Sequence, residues 1–193
     1  QEFNHWNASS SLDQWMKEQG IPGLHGIDTR ALTFHIREKG AMKAKILAGE
    51  DSIANPDAIR FVDINERNLV DMVSRMDVRT YNPKGHVKIV AVDCGIKNNI
   101  IRCLVEAGAC VQVVPAAFDF HQLDYDGIFL SNGPGDPSMA EETIANVRKA
   151  LDGDKPIFGI CLGNQLLARA AGAEVRMELK STVRPAIAQQ SAA

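Results

Sequence analysis

Apolar positions fall into two textures along the chain. Through the first 80 residues they recur at helical spacing between polar stretches, and beyond residue 86 they gather into short β-branched runs. Ser11-Leu12-Asp13-Gln14 has the form of a capping box. Leu12, Trp15 and Met16 follow at helical spacing and Gly20 is placed to stop them, which predicts an amphipathic helix over 11–19. After Ile21-Pro22-Gly23, Asp28 or Thr29 can cap a second helix that carries Leu32, Phe34 and Ile36 and ends at Lys39-Gly40. Ala41 to Leu47 turns Lys43 and Lys45 outward in alternation, the pattern of a half-buried strand. Trp6 and Trp15 are expected in core or interdomain packing. Residues 49–65 are polar and turn-rich, a third helix is expected from Glu66 to Arg75, and Tyr81-Asn82-Pro83-Lys84-Gly85 carries strong breakers. A linker over 81–86 therefore separates a domain within 1–80 from one over 87–180.

In the second texture, 87–92, 110–114, 127–130 and 156–160 read as strands buried on both faces. Helices over 97–107, 140–151 and 162–171, closed by Gly108, Gly153 and Gly172, separate most of them. Strand–helix alternation at this spacing predicts an α/β fold, a flavodoxin-like doubly wound parallel sheet with too few strands to be complete. Ligands of such a sheet belong at the carboxyl ends of its strands. Ser181 to Ala193, rich in Ala, Ser and Gln, is expected to be a disordered tail.

Charge narrows the partners. With 21 Lys+Arg against 24 Asp+Glu the net charge is −3, which offers no electrostatic footprint for a phosphate backbone, so no nucleic acid is expected. No apolar run approaches the roughly 18 residues of a membrane span, so no membrane is expected either. Cys94, Cys103, Cys110 and Cys161 form no CxxC pair and no metal-ligand spacing with the five histidines, which points to a reducing, intracellular setting and no metal. There the sequon Asn7-Ala8-Ser9 has no meaning. The opening Gln1-Glu2-Phe3-Asn4 lacks Met and any signal-like run, and reads as the interior of a longer protein.

Gly159-Ile160-Cys161-Leu162-Gly163 places a cysteine at a strand-to-helix turn between two glycines, the thiol counterpart of the nucleophile elbow. Such a turn pushes the side chain out of the sheet, and the following helix points its positive end at the sulfur. The Leu162 N–H, next after the nucleophile, is then aimed to stabilise an oxyanion. Alternatively Cys161 is a small buried apolar residue, as free cysteines often are. Ser131-Asn132-Gly133-Pro134-Gly135-Asp136-Pro137 follows another strand and lies on the same edge. Its Gly133 N–H can act as a second oxyanion donor, or the loop can be a tight structural turn. Cys103 and Cys110 read as core; Cys94, in the Asp93-Cys94-Gly95 turn, stays open. Asp93 either serves the active edge or caps the helix at 97.

These motifs resemble a known family. GICLG followed by Asn164-Gln165, with SNGPGDP one strand earlier, is similar to the glutaminase domain of class I glutamine amidotransferases. Gly26-Ile27-Asp28-Thr29-Arg30, Arg37-Glu38-Lys39-Gly40-Ala41 and Val92-Asp93-Cys94-Gly95-Ile96-Lys97 resemble the glutamine-hydrolysing small subunit, or fused domain, of carbamoyl phosphate synthetase. The resemblance implies that residues 1–80 are the C-terminal part of a smaller α/β N-terminal domain, and that 87–180 begin the amidotransferase domain. It makes Cys161 the nucleophile on the side-chain amide of L-glutamine, Gly133 and Leu162 the oxyanion donors, and Gly133, Gly135, Leu162 and Gln165 the substrate pocket. Ammonia would pass to a large synthetase subunit or fused synthetase domain, which binds ATP and Mg and serves pyrimidine or arginine synthesis; no cofactor is implied in this chain. Asn164 stands where the family more often has His. The resemblance places the protein in the cytoplasm, or the mitochondrion in a eukaryote.

The family's base, a His with a Glu partner, follows the cysteine, whereas His5, His25, His35, His86 and His121 all precede it here. The chain is therefore expected to be a fragment with negligible turnover alone. A non-catalytic interaction module is one alternative. Another is a different thiol hydrolase on the same scaffold, with His121 as base.

Overall fold

The structure, a computed structural model, describes residues 5–6, 8–40, 42–47 and 50–175; the tail expected over 181–193, Asn7 of the sequon and Ala41 of the expected strand lie outside them. The chain divides after Met42 into two compact units.

The first unit holds α1 (Leu12–Glu18) and α2 (Thr29–Lys39). Ser11 Oγ accepts the Gln14 N–H at 3.1 Å, while the Gln14 side chain donates forward to Glu18, so half of the capping box forms. Asp28, rather than Thr29, caps α2 by accepting the Ala31 N–H at 2.8 Å. Neither helix buries a residue, and Trp6 and Trp15 are exposed rather than packed in a core.

The second unit opens with residues 43–47, which form no strand; Lys45 Nζ donates to the Pro56 and Ile59 carbonyls and lies over the Phe61 ring, so its alternation with Lys43 reports a local wrap. Two short helices follow, α3 (Glu50–Ala54) and α4 (Leu69–Val73). The expected helix over 66–75 is cut to α4 because the Asn68 side chain accepts the Asp71 N–H and starts the helix there.

Five strands make one sheet: β1 (Arg79–Tyr81), β2 (Val87–Asp93), β3 (Ala109–Pro115), β4 (Gly127–Leu130) and β5 (Ile157–Gly159), in the order β1-β3-β2-β4-β5. All pairs are parallel except β1, which runs antiparallel to β3 with Thr80 opposite Gln112, so the sheet begins before the expected linker. Helices α5 (Asn98–Glu106), α6 (Glu141–Leu151) and α7 (Leu162–Ala170) complete the unit. Both faces of β2 are apolar, and each meets its own layer. Val90 and Val92 join Leu130, Val147, Leu162 and Leu166 on the face of α6 and α7, whereas Ala91 joins Val111, Val113, Phe129 and Ile101 on the face of α5. No α-helix links β3 to β4; there the buried Phe120 seals the core, edge-on to Tyr125 at 6.1 Å. Strand order reverses after β3, between β2 and β4, and in sheets of this kind the carboxyl ends of the strands at such a switch point are where ligands bind.

Candidate active site

Three loops meet on that edge, after β2, β4 and β5, and the order of the sheet makes them neighbours. Cys161 is the N-cap residue of α7, with φ 53° and ψ −112°. Positive φ at a residue bearing a Cβ costs on the order of 1–3 kcal/mol and persists only where the surroundings impose it. They do so here through backbone bonds. Ile160 N–H donates to the Leu130 carbonyl at 3.0 Å, Gly163 N–H to Ile160 at 2.9 Å, and the Asn164 and Gln165 N–H groups to the Cys161 carbonyl at 3.1 and 3.2 Å. Cys161 is exposed and its sulfur makes no capping bond, so it is presented rather than packed. The Leu162 N–H stands ahead of the i−4 ladder, where helical donors are unspent.

The glycines of the elbow allow its compression. A Cβ on Gly159 would fall 2.5 Å from the Gly163 carbonyl carbon, and one on Gly163 would fall 2.2 Å from the Leu130 carbonyl oxygen. Helix α7 thus starts against the end of β4 with no room for a methyl group.

Gly133 is held as tightly. A Cβ there would lie 2.1 Å from the Cys94 carbonyl oxygen and 2.7 Å from Leu162 Cδ2, so the two residues named as oxyanion donors are in contact. Gly135, with φ +85°, lies beside Leu69 of α4, and Gln165 sits half-buried on the first turn of α7. The loops after β2 and β4 are tied to each other: Cys94 N–H donates to Ser131 Oγ at 2.9 Å, and Asn132 Nδ2 to the Gly95 carbonyl at 3.0 Å. Cys161, Gly133, Leu162, Gly135 and Gln165 are therefore gathered on one edge.

Other candidates fall elsewhere. Cys94 is fully buried; burial first, then the charge of Asp93, pushes its thiol up to about 12, which makes it inert. Cys103 is exposed on α5 rather than in the core, and Cys110 is buried as expected. Asp93 caps no helix, since the N-cap position of α5 is Lys97 and no side chain caps it; Asp93 binds Gly95, Ile96 and Arg75 instead. His121 is spoken for: its Nε2 lies 3.0 Å from the Asn146 carbonyl, which obliges that nitrogen to be a donor, and its ring packs on Phe120 at 4.7 Å. His86 precedes β2, at the opposite edge of the sheet. Neither imidazole of this unit is hydrogen-bonded to Cys161, and the expected alternative of His121 as its base finds no contact here. Sequence reasoning missed Arg75 and Ser131, which hold the loops; a lone arginine in a helical stretch carries no motif, whereas Ser131 opens the glycine loop and was in plain view.

Comparisons with known proteins identify the family. The family model for glutamine amidotransferase class-I matches residues 90–191, and that for the CPSase domain of the carbamoyl-phosphate synthase small chain matches residues 1–46. The chain is 47% identical over 189 residues to multifunctional protein pyr1-3 of Dictyostelium discoideum, covering 90% of this chain and 8% of that protein. It is 50% identical over 174 residues to multifunctional protein CAD of Squalus acanthias, covering 89% and 8%. It is 48% identical over 175 residues to the mitochondrial carbamoyl-phosphate synthase [ammonia] of Homo sapiens, covering 90% and 11%. The chain thus spans roughly a tenth of the length of the curated relatives it matches. A solved structure from Thermoplasma acidophilum, named for a GMP synthase, is 35% identical over 46% of each chain with a TM-score of 0.41, too low to bear on the fold.

Proposed function

Since the chain belongs to the class I glutamine amidotransferase family, we propose that it is the glutaminase portion of a carbamoyl phosphate synthetase. The observation that carries this reading is the strained, exposed Cys161 at the head of α7, in contact through Leu162 with the glycine loop after β4. In this reading the Cys161 thiolate attacks the side-chain carbonyl carbon of L-glutamine. Gly133 and Leu162 N–H groups take the oxyanion, and Gly135 and Gln165 line the pocket. The tetrahedral adduct expels its nitrogen, which leaves as ammonia after gaining a proton, and a γ-glutamyl thioester remains. Water then cleaves the thioester to glutamate and restores the thiol.

Because these donors are main-chain groups fixed before substrate arrives, they cost no reorganisation when charge develops. The ammonia would serve a synthetase partner, whether separate or fused, on which ATP, Mg and bicarbonate complete carbamoyl phosphate for pyrimidine or arginine synthesis. Sequence likeness to a synthase named as mitochondrial supports the mitochondrion as one setting, with the cytoplasm the other. Among the described residues no helix is long and apolar enough to cross a membrane.

The test is covalent labelling by a diazo-ketone analogue of glutamine followed by peptide mapping. The label is expected on Cys161, blocked by excess glutamine and absent from Cys161→Ser; a label carried mainly by Cys103 overturns the reading. The same preparation should turn glutamine over at least about a thousandfold more slowly than a complete amidotransferase, as loss of a base generally dictates. Comparable turnover would refute the expectation that the 193-residue chain lacks one.

A further inference from the structure

We propose that Arg75 is a positioning residue for the oxyanion donor Gly133, acting through Asp93 and the turn that Asp93 holds. The inference rests on the glutaminase reading.

Asp93 ends β2 and is 5% exposed. Its Oδ1 accepts the Gly95 and Ile96 N–H groups at 2.9 and 2.8 Å, which folds residues 93–96 into a turn. Its Oδ2 accepts the backbone N–H and Nε of Arg75 at 3.2 and 3.3 Å. Both oxygens of the carboxylate are thus committed to structure and hold the turn from two sides.

That turn is the surface on which Gly133 rests. The Cys94 carbonyl occupies the space a Cβ on Gly133 would need, the Gly95 carbonyl accepts Asn132 Nδ2, and Cys94 N–H donates to Ser131 Oγ. Any shift of residues 93–95 must therefore carry residues 131–133 with it. The segment bearing Arg75 also touches the loops directly. A Cβ on Gly95 would lie 3.2 Å from Val73 Cγ2, one on Gly135 would lie 3.2 Å from Leu69 Cβ, and Ser74 Oγ accepts the Ala116 N–H at 2.9 Å. Residues 69–75 span the ends of β2, β3 and β4 while offering no group to the reaction.

Stability alone is a poor account of the ion pair. The Arg75 side chain is 18% exposed, its Nη1 is buried without a partner, and a buried pair so incompletely satisfied returns little of its desolvation cost. Its effect is geometric, and oxyanion geometry is unforgiving: a 1 Å misplacement can cost about a hundredfold in rate.

The test compares two electrophiles at Cys161 in the full 193-residue chain, at pH 9. A chloroketone analogue of glutamine reacts through an oxyanion at its carbonyl; iodoacetamide loses iodide from a saturated carbon and needs no oxyanion donor. Both form a thioether and release halide, and peptide mapping assigns each to Cys161. Arg75→Met is expected to slow the chloroketone by roughly 10- to 100-fold and leave iodoacetamide unchanged, with partial rescue in Arg75→Lys. Should Arg75→Met fail to fold, Arg75→Met/Asp93→Asn serves in its place, because the amide oxygen can still accept from Gly95 and Ile96. Equal slowing of both reagents, or no slowing of either, overturns the proposal. If the unmodified chain does not prefer the glutamine analogue over a chloroketone lacking the amino-acid end, the glutaminase reading fails first and the proposal with it.

Discussion

Substituting alanine for Gly163 sets two effects against each other, and the structure decides between them. At a helical position alanine is favoured over glycine by about 1 kcal/mol, less near the first turn, so propensity predicts a more stable protein. The new Cβ, however, would stand 2.2 Å from the Leu130 carbonyl oxygen, 2.6 Å from its carbon and 2.8 Å from Leu130 Cβ. An ordinary carbon–oxygen contact begins near ~3.3 Å, so α7 must back away from β4 by about 1 Å. Neither side can yield cheaply. Leu130 sits in the paired strand β4, its carbonyl accepts the Ile160 N–H, and Leu162 and Leu166 beside it are fully buried. Overpacking of this kind costs about 1–3 kcal/mol, and immovable backbone places it at the upper end. The net expectation for Gly163→Ala is a loss of about 2 kcal/mol, or roughly 6–10 °C in Tm for a unit of this size. Urea unfolding followed by circular dichroism reads it directly, with Gly153→Ala as the control. There a Cβ meets only the Ala150 carbonyl at 3.4 Å, and a neutral or slightly stabilising change is expected. A Gly163→Ala midpoint equal to or above that of the unmodified chain would refute the claim that α7 is pressed against β4.

Two further outcomes follow from the same edge. Cys161→Gly removes a Cβ from a positive-φ position, and after the entropy cost of glycine it should raise stability by about 0.5–1 kcal/mol in the urea assay, whereas Cys161→Ala should gain nothing; a destabilised glycine variant would mean the backbone is not strained there. The Cys94 thiol titrates at about 12 in the folded chain against an ordinary 9.0, so the folded state holds its proton longer; this stabilisation is complete below pH 9 and declines as pH rises toward 12. Cys94→Ala should flatten the alkaline end of the stability profile, and at pH 8–9 maleimide should modify Cys161 and Cys103 while sparing Cys94.

The inner parallel strands were legible because they are apolar runs buried on both faces, as in Val90-Ala91-Val92, and because a glycine closes each intervening helix, whereas β5, expected to be buried likewise, lies at the sheet edge with Phe158 exposed. What was misread has local causes. Arg79-Thr80-Tyr81 is too short and polar to signal a strand, yet its backbone completes the edge of β3. Lys43 and Lys45 alternate like a strand, but Lys45 is drawn inward by carbonyls eleven and fourteen residues ahead, and no periodicity can reveal such a partner. In the site, the elbow and the glycine loop were readable because their glycines are demanded by close backbone approach. The ion pair between Arg75 and Asp93 was not: its members are eighteen residues apart and only the fold relates them.

This asymmetry has a physical basis that bears on how the site can be altered. The oxyanion donors proposed for it are main-chain N–H groups at two strand ends, so no side chain can be exchanged to retune them; they are adjusted only by moving backbone. Where backbone is packed to contact on every side, as at Gly133 between Cys94 and Leu162, motion must come from the elements that carry those neighbours. The turn after β2 is one, and it is held by Arg75 from a segment that also touches Gly95 and Gly135. Displacement of residues 69–75 would therefore reach Gly133 before it reached Cys161, whose elbow is secured independently by Leu130, Ile160 and Gly163. A site built this way separates the reactivity of its sulfur from the stabilisation of its oxyanion, and a signal arriving along residues 69–75 would alter the second while leaving the first intact.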